Sequence, residues 1–351
     1  MKYILAPYVR IGIDNDGMYF GFGSIQKVIK NKEFAEIILN SANFFINPHT
    51  FDELKEYLTV ECNVSIEDYS KVEKILSEGH YLIGENTYDR EDRYSRHSLY
   101  YSLYDNDATG VQEKLKNKHV AILGCGGIGN QVSISLATAG VGKLTLIDFD
   151  IIEKSNLTRQ IMFTEADVGD YKCKVLKREL LKRNSEIIID TVHLKITGDK
   201  FIIPKCDLAV VSADSFGLVD DFNKYAIDNN LPYLNVGYIQ DVAVWGPFVI
   251  PKKTGCMACN NIISTRKSNY DPHQWERIKN INMRSQAPSI GAINMLSSAH
   301  ATLDILRFLG EYGEIASLNK RIGIWTDNLR IEIQECNRNP KCAICGDIIE
   351  E

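Results

Sequence analysis

The alternation of apolar and polar positions changes rhythm near residue 90. Before that point the chain mixes short strand-like and helical patterns. Residues 3–12 (YILAPYVRIG) and 18–22 (MYFGF) read as two strands, joined by a turn around Asp14-Asn15-Asp16-Gly17. Helical periodicity follows near 32–43, 50–59 and 66–77, with Asn47-Pro48 and a capping box from Ser65 to Asp68 marking helix starts. This pattern predicts a small α+β module of winged-helix type over residues 1–88. The polar, turn-rich run GENTYDREDRYS (84–95) marks the boundary.

From about residue 96 the pattern settles into strand and helix in alternation. KHVAILG (118–124), KLTLIDF (143–149), DLAVVSAD (207–214) and LPYLNVGY (231–238) are apolar runs of buried-strand type, with a further strand near 186–195. Helices fit 129–139 and 170–184. The C-terminal third adds WGPFVI, an irregular polar stretch from 264 to 285, a helix from about 290 to 309 and a last strand, RIGIWTD. The succession predicts an α/β fold over residues 89–351: a Rossmann-like, doubly wound, mostly parallel sheet.

Composition narrows the function. A net charge of -6 gives no general footprint for nucleic acid. The N-terminus lacks the form of a secretory signal, and no apolar run is long enough for a membrane span, so the expected compartment is the cytoplasm. The first 88 residues carry 13 acidic and 8 basic side chains, an excess that a solvated surface explains and that also suits a basic peptide. Nine cysteines in a reducing compartment point away from disulfides. Cys256-Met-Ala-Cys259 and Cys342-Ala-Ile-Cys345 are two CxxC pairs with 82 residues between them. Two such pairs supply a closed tetrahedral thiolate site, which predicts a structural zinc that clips the tail onto the segment after residue 255. No thioester cysteine stands out among the rest, and Cys125 is not needed for catalysis.

The candidate chemistry begins at Gly124-Cys125-Gly126-Gly127-Ile128-Gly129, which leaves a strand and opens a helix. Glycines there let backbone N–H groups approach a phosphate, and the helix N-terminus adds partial positive charge. Asp148 ends the next strand 24 residues later, where a carboxylate takes ribose hydroxyls. These features fit an NAD dehydrogenase equally well. The residues downstream separate the two. A triphosphate reacting at its α-phosphorus carries about four negative charges, against two on an NAD diphosphate, and needs cations aimed at it. Arg159 and Lys172 offer that clamp, and Asp214, at the end of VVSAD, is placed to hold Mg²⁺.

GCGGIG, LIDFD, SNLTRQ, VGDYK and SAD, in that order, resemble the HesA/MoeB/ThiF superfamily, which includes the adenylating domain of ubiquitin-activating enzymes. The resemblance spans roughly residues 90–350 and includes the two CxxC pairs. It implies that the glycine loop (Gly124, Gly126, Gly127, Gly129) and Asp148, Asp150, Asn156, Arg159, Gln160 and Lys172 bind the nucleotide, and that Asp214 binds Mg²⁺. Arg93-Tyr94-Ser95-Arg96 matches the family's arginine motif, which implies a homodimer in which Arg96 reaches the partner subunit's γ-phosphate. The extra ninety N-terminal residues, KRELLKRNSEI (177–187), residues 233–259 and SLNKRIGIWTD (317–327) look like the MccB-type enzymes of microcin C biosynthesis. That resemblance implies an N-terminal peptide clamp, a short ribosomal peptide ending in Asn as acceptor, and ATP or CTP as donor, with a succinimide and then a nitrogen–phosphorus bond. The rival expectations are a MoeB/ThiF-like enzyme activating the Gly-Gly tail of a sulfur carrier and a non-catalytic nucleotide-binding scaffold.

Overall fold

The computed structural model describes residues 1–105, 108–195, 201–213, 217–259, 272–284 and 287–346. The chain divides into two compact units, Met1–Glu113 and Lys114–Glu351.

In the first unit, β1 (Tyr3–Leu5) pairs with β5 (Leu82–Gly84), and β2 (Ile11–Asp14), β3 (Gly17–Phe20) and β4 (Lys27–Ile29) form a second antiparallel sheet in that order. Helices α1 (Lys32–Phe44), α2 (Phe51–Glu56), α3 (Ile66–Glu78) and α4 (Ser95–Tyr101) complete it. The single strand expected over 3–12 is therefore two. Pro7 has no N–H to give a ladder, and the chain turns there, the Val9 N–H donating to the Ala6 carbonyl at 2.9 Å. The second helix starts not at Asn47-Pro48 but after Thr50, whose hydroxyl accepts from the Glu53 N–H while the Glu53 carboxylate accepts from the Thr50 N–H. The Ser65 cap of α3 forms as expected. The core joins Phe20 of β3 to Ile38, Leu54, Val72 and Leu76 of the helices. Leu99 of α4 packs on Ala6 and Ile83, so the unit runs past residue 88.

After α5 (Ala108–Lys116), the second unit contains β6 (His119–Leu123), α6 (Gly127–Thr138), β7 (Lys143–Ile147), α7 (Lys172–Arg183), β8 (Ile188–Val192), β9 (Leu208–Val211) and α8 (Leu218–Asp228). It continues through β10 (Tyr233–Ile239), β11 (Val242–Val249), α9 (Pro272–Asn282), α10 (Gly291–Gly310), β12 (Lys320–Trp325) and β13 (Ile331–Glu335). The sheet order is β13-β12-β11-β10-β9-β6-β7-β8. Strands β8 to β10 are parallel; β11, β12 and β13 extend the sheet antiparallel. The α/β, mostly parallel sheet is thus the predicted one. Two expectations at the C-terminal side differ. Residues 272–282, inside the stretch read as irregular, form α9, and RIGIWTD is followed by one more strand, β13, whose residues are all exposed and carry no burial signal. No helix among the described residues is long and apolar enough to cross a membrane.

The chain leaves β6 toward β7 and β8, then returns to β9 on the other side of β6. The two strands that diverge at this switch point are wholly apolar: Val120–Leu123 and Leu208–Val211 are fully buried. A doubly wound sheet opens its crevice at this place, outside the carboxyl ends of the strands.

Candidate active site

The crevice is a cavity of roughly 510 Å³ in the second unit. Its floor is the turn from β6 into α6. Gly124 has φ +94°, and a Cβ there would lie 3.0 Å from the backbone nitrogen of Ala213 in the turn after β9. A Cβ on Gly129 would lie 1.8 Å from the Gly124 carbonyl oxygen. A side chain at the first would push the two turns apart, and one at the second would break the glycine turn itself. The N-cap of α6 is Gly126, and no side chain caps the helix, so its first N–H groups remain for a ligand.

Asp148 holds this turn. Its Oδ2 accepts the Cys125 N–H at 2.6 Å and its Oδ1 the Asp150 N–H at 2.7 Å. Burial raises its carboxyl above the usual carboxylate range, against those two bonds and the Lys172 ammonium, which pull it down. Burial also pushes the enclosed Cys125 thiol up, away from the thiolate form that chemistry would need. Lys172 opens α7 and is buried; its Nζ donates to Asp150 Oδ2 at 2.8 Å. This cation of the expected clamp is held in place by a half-exposed carboxylate. Arg159 follows a short 3-10 turn over Lys154–Thr158, and its Nη1 donates to the Ser155 carbonyl at 3.0 Å. Asn156 is buried and closes that turn through Oδ1, which accepts the Glu153 N–H. Gln160 is buried with its Oε1 unpartnered among the described residues.

Gly124, Gly126, Gly127, Asp148, Asp150, Asn156, Arg159, Gln160 and Lys172 all line this one cavity. Gly129 supports it from the first turn of α6. Arg96 lies exposed on α4 of the first unit, and Asp214 lies outside the described residues.

Other lining residues escaped sequence reasoning. Phe149 and Ile151 are 38% and 48% exposed beside the two aspartates, an apolar shelf of the kind a base stacks on. Asn235 and Tyr238 of β10 and Arg321 of β12 also line it, as does Asn294 of α10, whose amide packs against Gly127 of the glycine turn. Their only sequence signal is a polar group in an apolar context: Asn294 within AINMLSSA, and Arg321 beside the buried alternation of Ile322 and Ile324.

The four cysteines of the CxxC pairs come together and are buried, their sulfurs within 4.8 Å of one another. Sγ–Sγ separations are 3.7 Å for Cys256–Cys342, 3.3 Å for Cys259–Cys345 and 3.9 Å for Cys256–Cys259. Ligands about 2.3 Å from a tetrahedral zinc lie roughly 3.8 Å apart, so the donor set fits that ion with small adjustments. The Cys256 N–H points at Cys259 Sγ and the Ile344 N–H at Cys342 Sγ, donors suited to thiolates. Asn223 extends the support: Tyr233 Oη donates to its Oδ1 at 2.7 Å, and its Nδ2 faces Cys256 Sγ at 3.6 Å.

Residues 94–344 match the model of the ThiF family. The chain belongs to the ThiF family. E. coli MccB, solved with ATP, superposes with a TM-score of 0.91 at 41% identity, covering 99% of this chain and 100% of that one. The microcin C7 biosynthetic enzyme MccB in complex with N-formylated MccA matches with a TM-score of 0.93, again at 41% identity and with the same coverage. Among curated relatives, the sulfur carrier protein ThiS adenylyltransferase of E. coli is 27% identical over 72% of this chain and 94% of its own length. Family and fold together make this ThiF-family chain a nucleotidyltransferase.

Proposed function

We propose that the protein activates the C-terminal carboxylate of a short ribosomal peptide with an NTP, ATP or CTP, in a microcin C-like pathway. One observation carries this reading. The likeness to MccB covers 99% of the chain, whereas the ThiF family model begins only at Tyr94 and the ThiS adenylyltransferase covers 72%. The first unit, residues 1–113, is thus shared with an enzyme solved in complex with N-formylated MccA. We assign it the role of a peptide clamp. The edges of its three-stranded sheet are free for an added strand among the described residues, and backbone pairing there gives affinity with little demand on side chains.

In this reading the uncapped start of α6 and the Arg159 and Lys172 cations hold the triphosphate, and the base lies on Phe149 and Ile151. Asp150 keeps Lys172 in place before the nucleotide enters. A carboxylate oxygen of the peptide attacks the α-phosphorus and pyrophosphate leaves. Asp214 would hold Mg²⁺, which would supply neutralising charge at the phosphates. With Asn as the terminal residue, its side-chain amide nitrogen attacks the acyl carbon in a five-membered closure, NMP leaves and a succinimide forms. Intramolecular attack has a large effective-concentration advantage. The imide nitrogen then loses its proton and attacks a second NTP, forming the nitrogen–phosphorus bond as pyrophosphate leaves. E. coli MccB has been solved with a succinimide, which supports this sequence. Zinc on the four cysteines leaves no coordination position open and is structural. The protein acts as a homodimer, with Arg96 of one subunit at the γ-phosphate of the other.

Mass spectrometry of peptides ending in Asn, Asp or Gly-Gly, each offered with ATP and with CTP, tests this. A nucleotide adduct on the Asn peptide supports the reading. An adduct on Gly-Gly alone would replace it with sulfur-carrier activation, which the likeness to the ThiS adenylyltransferase makes the nearest rival.

A further inference from the structure

The two ends of the cavity differ in what they leave unsatisfied. At the glycine-loop end the cations already have partners: Lys172 meets Asp150, and Arg159 meets the Ser155 carbonyl. On the β12 side Arg321, which lines the cavity, has a buried Nε with no hydrogen-bond partner among the described residues. Burial acts against its charge, with only the Cys336 sulfur to favour it. A half-buried guanidinium without an anion is disfavoured, and a bound anion offsets that cost.

Register locates this cation. Leu123 of β6 aligns with Val211 of β9, and Val211 with Asn235 of β10; one residue on, Val236 aligns with Trp245 of β11, and Trp245 with Ile322 of β12. Arg321 therefore stands near the same rung as the last residue before the glycine turn, but four strands away. At about 4.8 Å per strand that is roughly 19 Å. An arginine side chain reaching inward meets what comes to the nucleotide rather than the phosphates on the turn.

Asn294 belongs to the glycine-loop end: its amide is buried against Gly127, with Nδ2 donating to Ser289 Oγ and the Ile290 carbonyl, both at 3.2 Å. Arg321 is therefore the cation left for an anion that arrives away from the turn, as the carboxylate of an acceptor does.

We propose that Arg321 is the residue that recognises the acceptor: it binds one oxygen of the peptide's free C-terminal carboxylate and leaves the other to attack the α-phosphorus. Pairing with the guanidinium also reduces the repulsion between the carboxylate and the NTP anion. This inference rests on the peptide-activating function proposed above.

The test compares wild type, Arg321→Met and Arg321→Lys with MccA and other short peptides ending in Asn, each made as the free acid and as the C-terminal amide. Arg321→Met should raise the KM for the acid on the order of 10²-fold, because a buried charge pair loses one partner. Arg321→Lys should fall between, since an ammonium lacks the planar fork. NTP affinity should stay within about threefold of wild type. As a competitor, the amide should bind wild type roughly 10²-fold more weakly than the acid, and Arg321→Met should bind both alike. A general structural defect would weaken acid and amide together and leave that ratio in place. Weakened NTP binding with the ratio intact would make Arg321 a phosphate ligand and overturn the inference, as would an unchanged KM. If wild type modifies no peptide, the proposed function itself fails, and this inference with it.

Discussion

The cavity and the cysteine cluster are both built from buried polar groups, yet they are finished in opposite ways. Around the sulfurs donors are turned inward: backbone N–H groups point at Cys259 and Cys342, and Asn223 faces Cys256. The cavity keeps the first N–H groups of α6 without a side-chain cap and leaves Arg321 without an ion-pair partner among the described residues. Backbone donors and a cation without internal partners mark a place where an exchangeable anion completes the bonding. The cluster holds something that stays; the cavity is made for something that leaves.

The largest expected effect lies on the closed side. Metal analysis should give one zinc per chain, and Cys342→Ser should lower unfolding stability by roughly 5 kcal/mol or more, since structural zinc contributes its binding energy to folding. Denaturant unfolding that left the variant as stable as wild type would remove one half of the contrast. On the open side, stability should stay and chemistry should go. Asp214→Asn and Arg96→Ala should each reduce peptide-dependent pyrophosphate exchange by about 10²- to 10³-fold while the unfolding curve is kept. Mixing the two variants under conditions where subunits exchange should restore part of the activity, because one composite site is intact. No recovery despite demonstrated exchange would exclude a shared site.

A smaller effect concerns the Lys172–Asp150 pair. Asp150→Asn leaves the ammonium buried without its carboxylate, and exchange activity should fall about tenfold through KM for the NTP, as expected when a positioning contact is lost. An effect on stability alone would recast the pair as part of the scaffold. The smallest effect comes from buried groups that meet no ligand. Burial lowers the pKa of His97, His119 and His300, with Lys143 adding to it at His119. The unfolded chain then binds protons that the folded one refuses, so stability is complete above about pH 6.5 and declines as pH falls below it. Denaturant titrations of His97→Gln at pH 7.5 and pH 5.5 should show a shallower decline than wild type; an equal slope would assign the dependence elsewhere.

What the sequence disclosed follows the same division. The glycine turn, Asp148, Lys172 and the CxxC pairs are legible because their chemistry is tied to local spacing: a strand must end, a helix must begin, two sulfurs must sit three residues apart. Asn294 and Arg321 are 27 residues apart on different elements, and only the stacking of α10 and β10–β12 brings both to one cavity. The pairing of Lys172 with Asp150 was equally hidden, since both had been expected to face the nucleotide. In the first unit the strand pattern of 3–12 hid the break at Pro7, because apolar spacing continues through it while the hydrogen-bond ladder does not. β13 shows no burial contrast and owes its place to backbone pairing with β12.

The position of the second CxxC pair has a consequence for how the protein is made. Cys342 and Cys345 leave the ribosome long after Cys256 and Cys259. A metal joining them closes a ring that encloses α10 and β12, and with them Asn294 and Arg321. At about 5–20 residues per second the first pair waits several seconds for the second. The strands and helix that carry Arg321 and Asn294 are therefore secured only after Cys345 has been made, and a chain cut short before Cys342 carries every nucleotide contact yet never receives the seal.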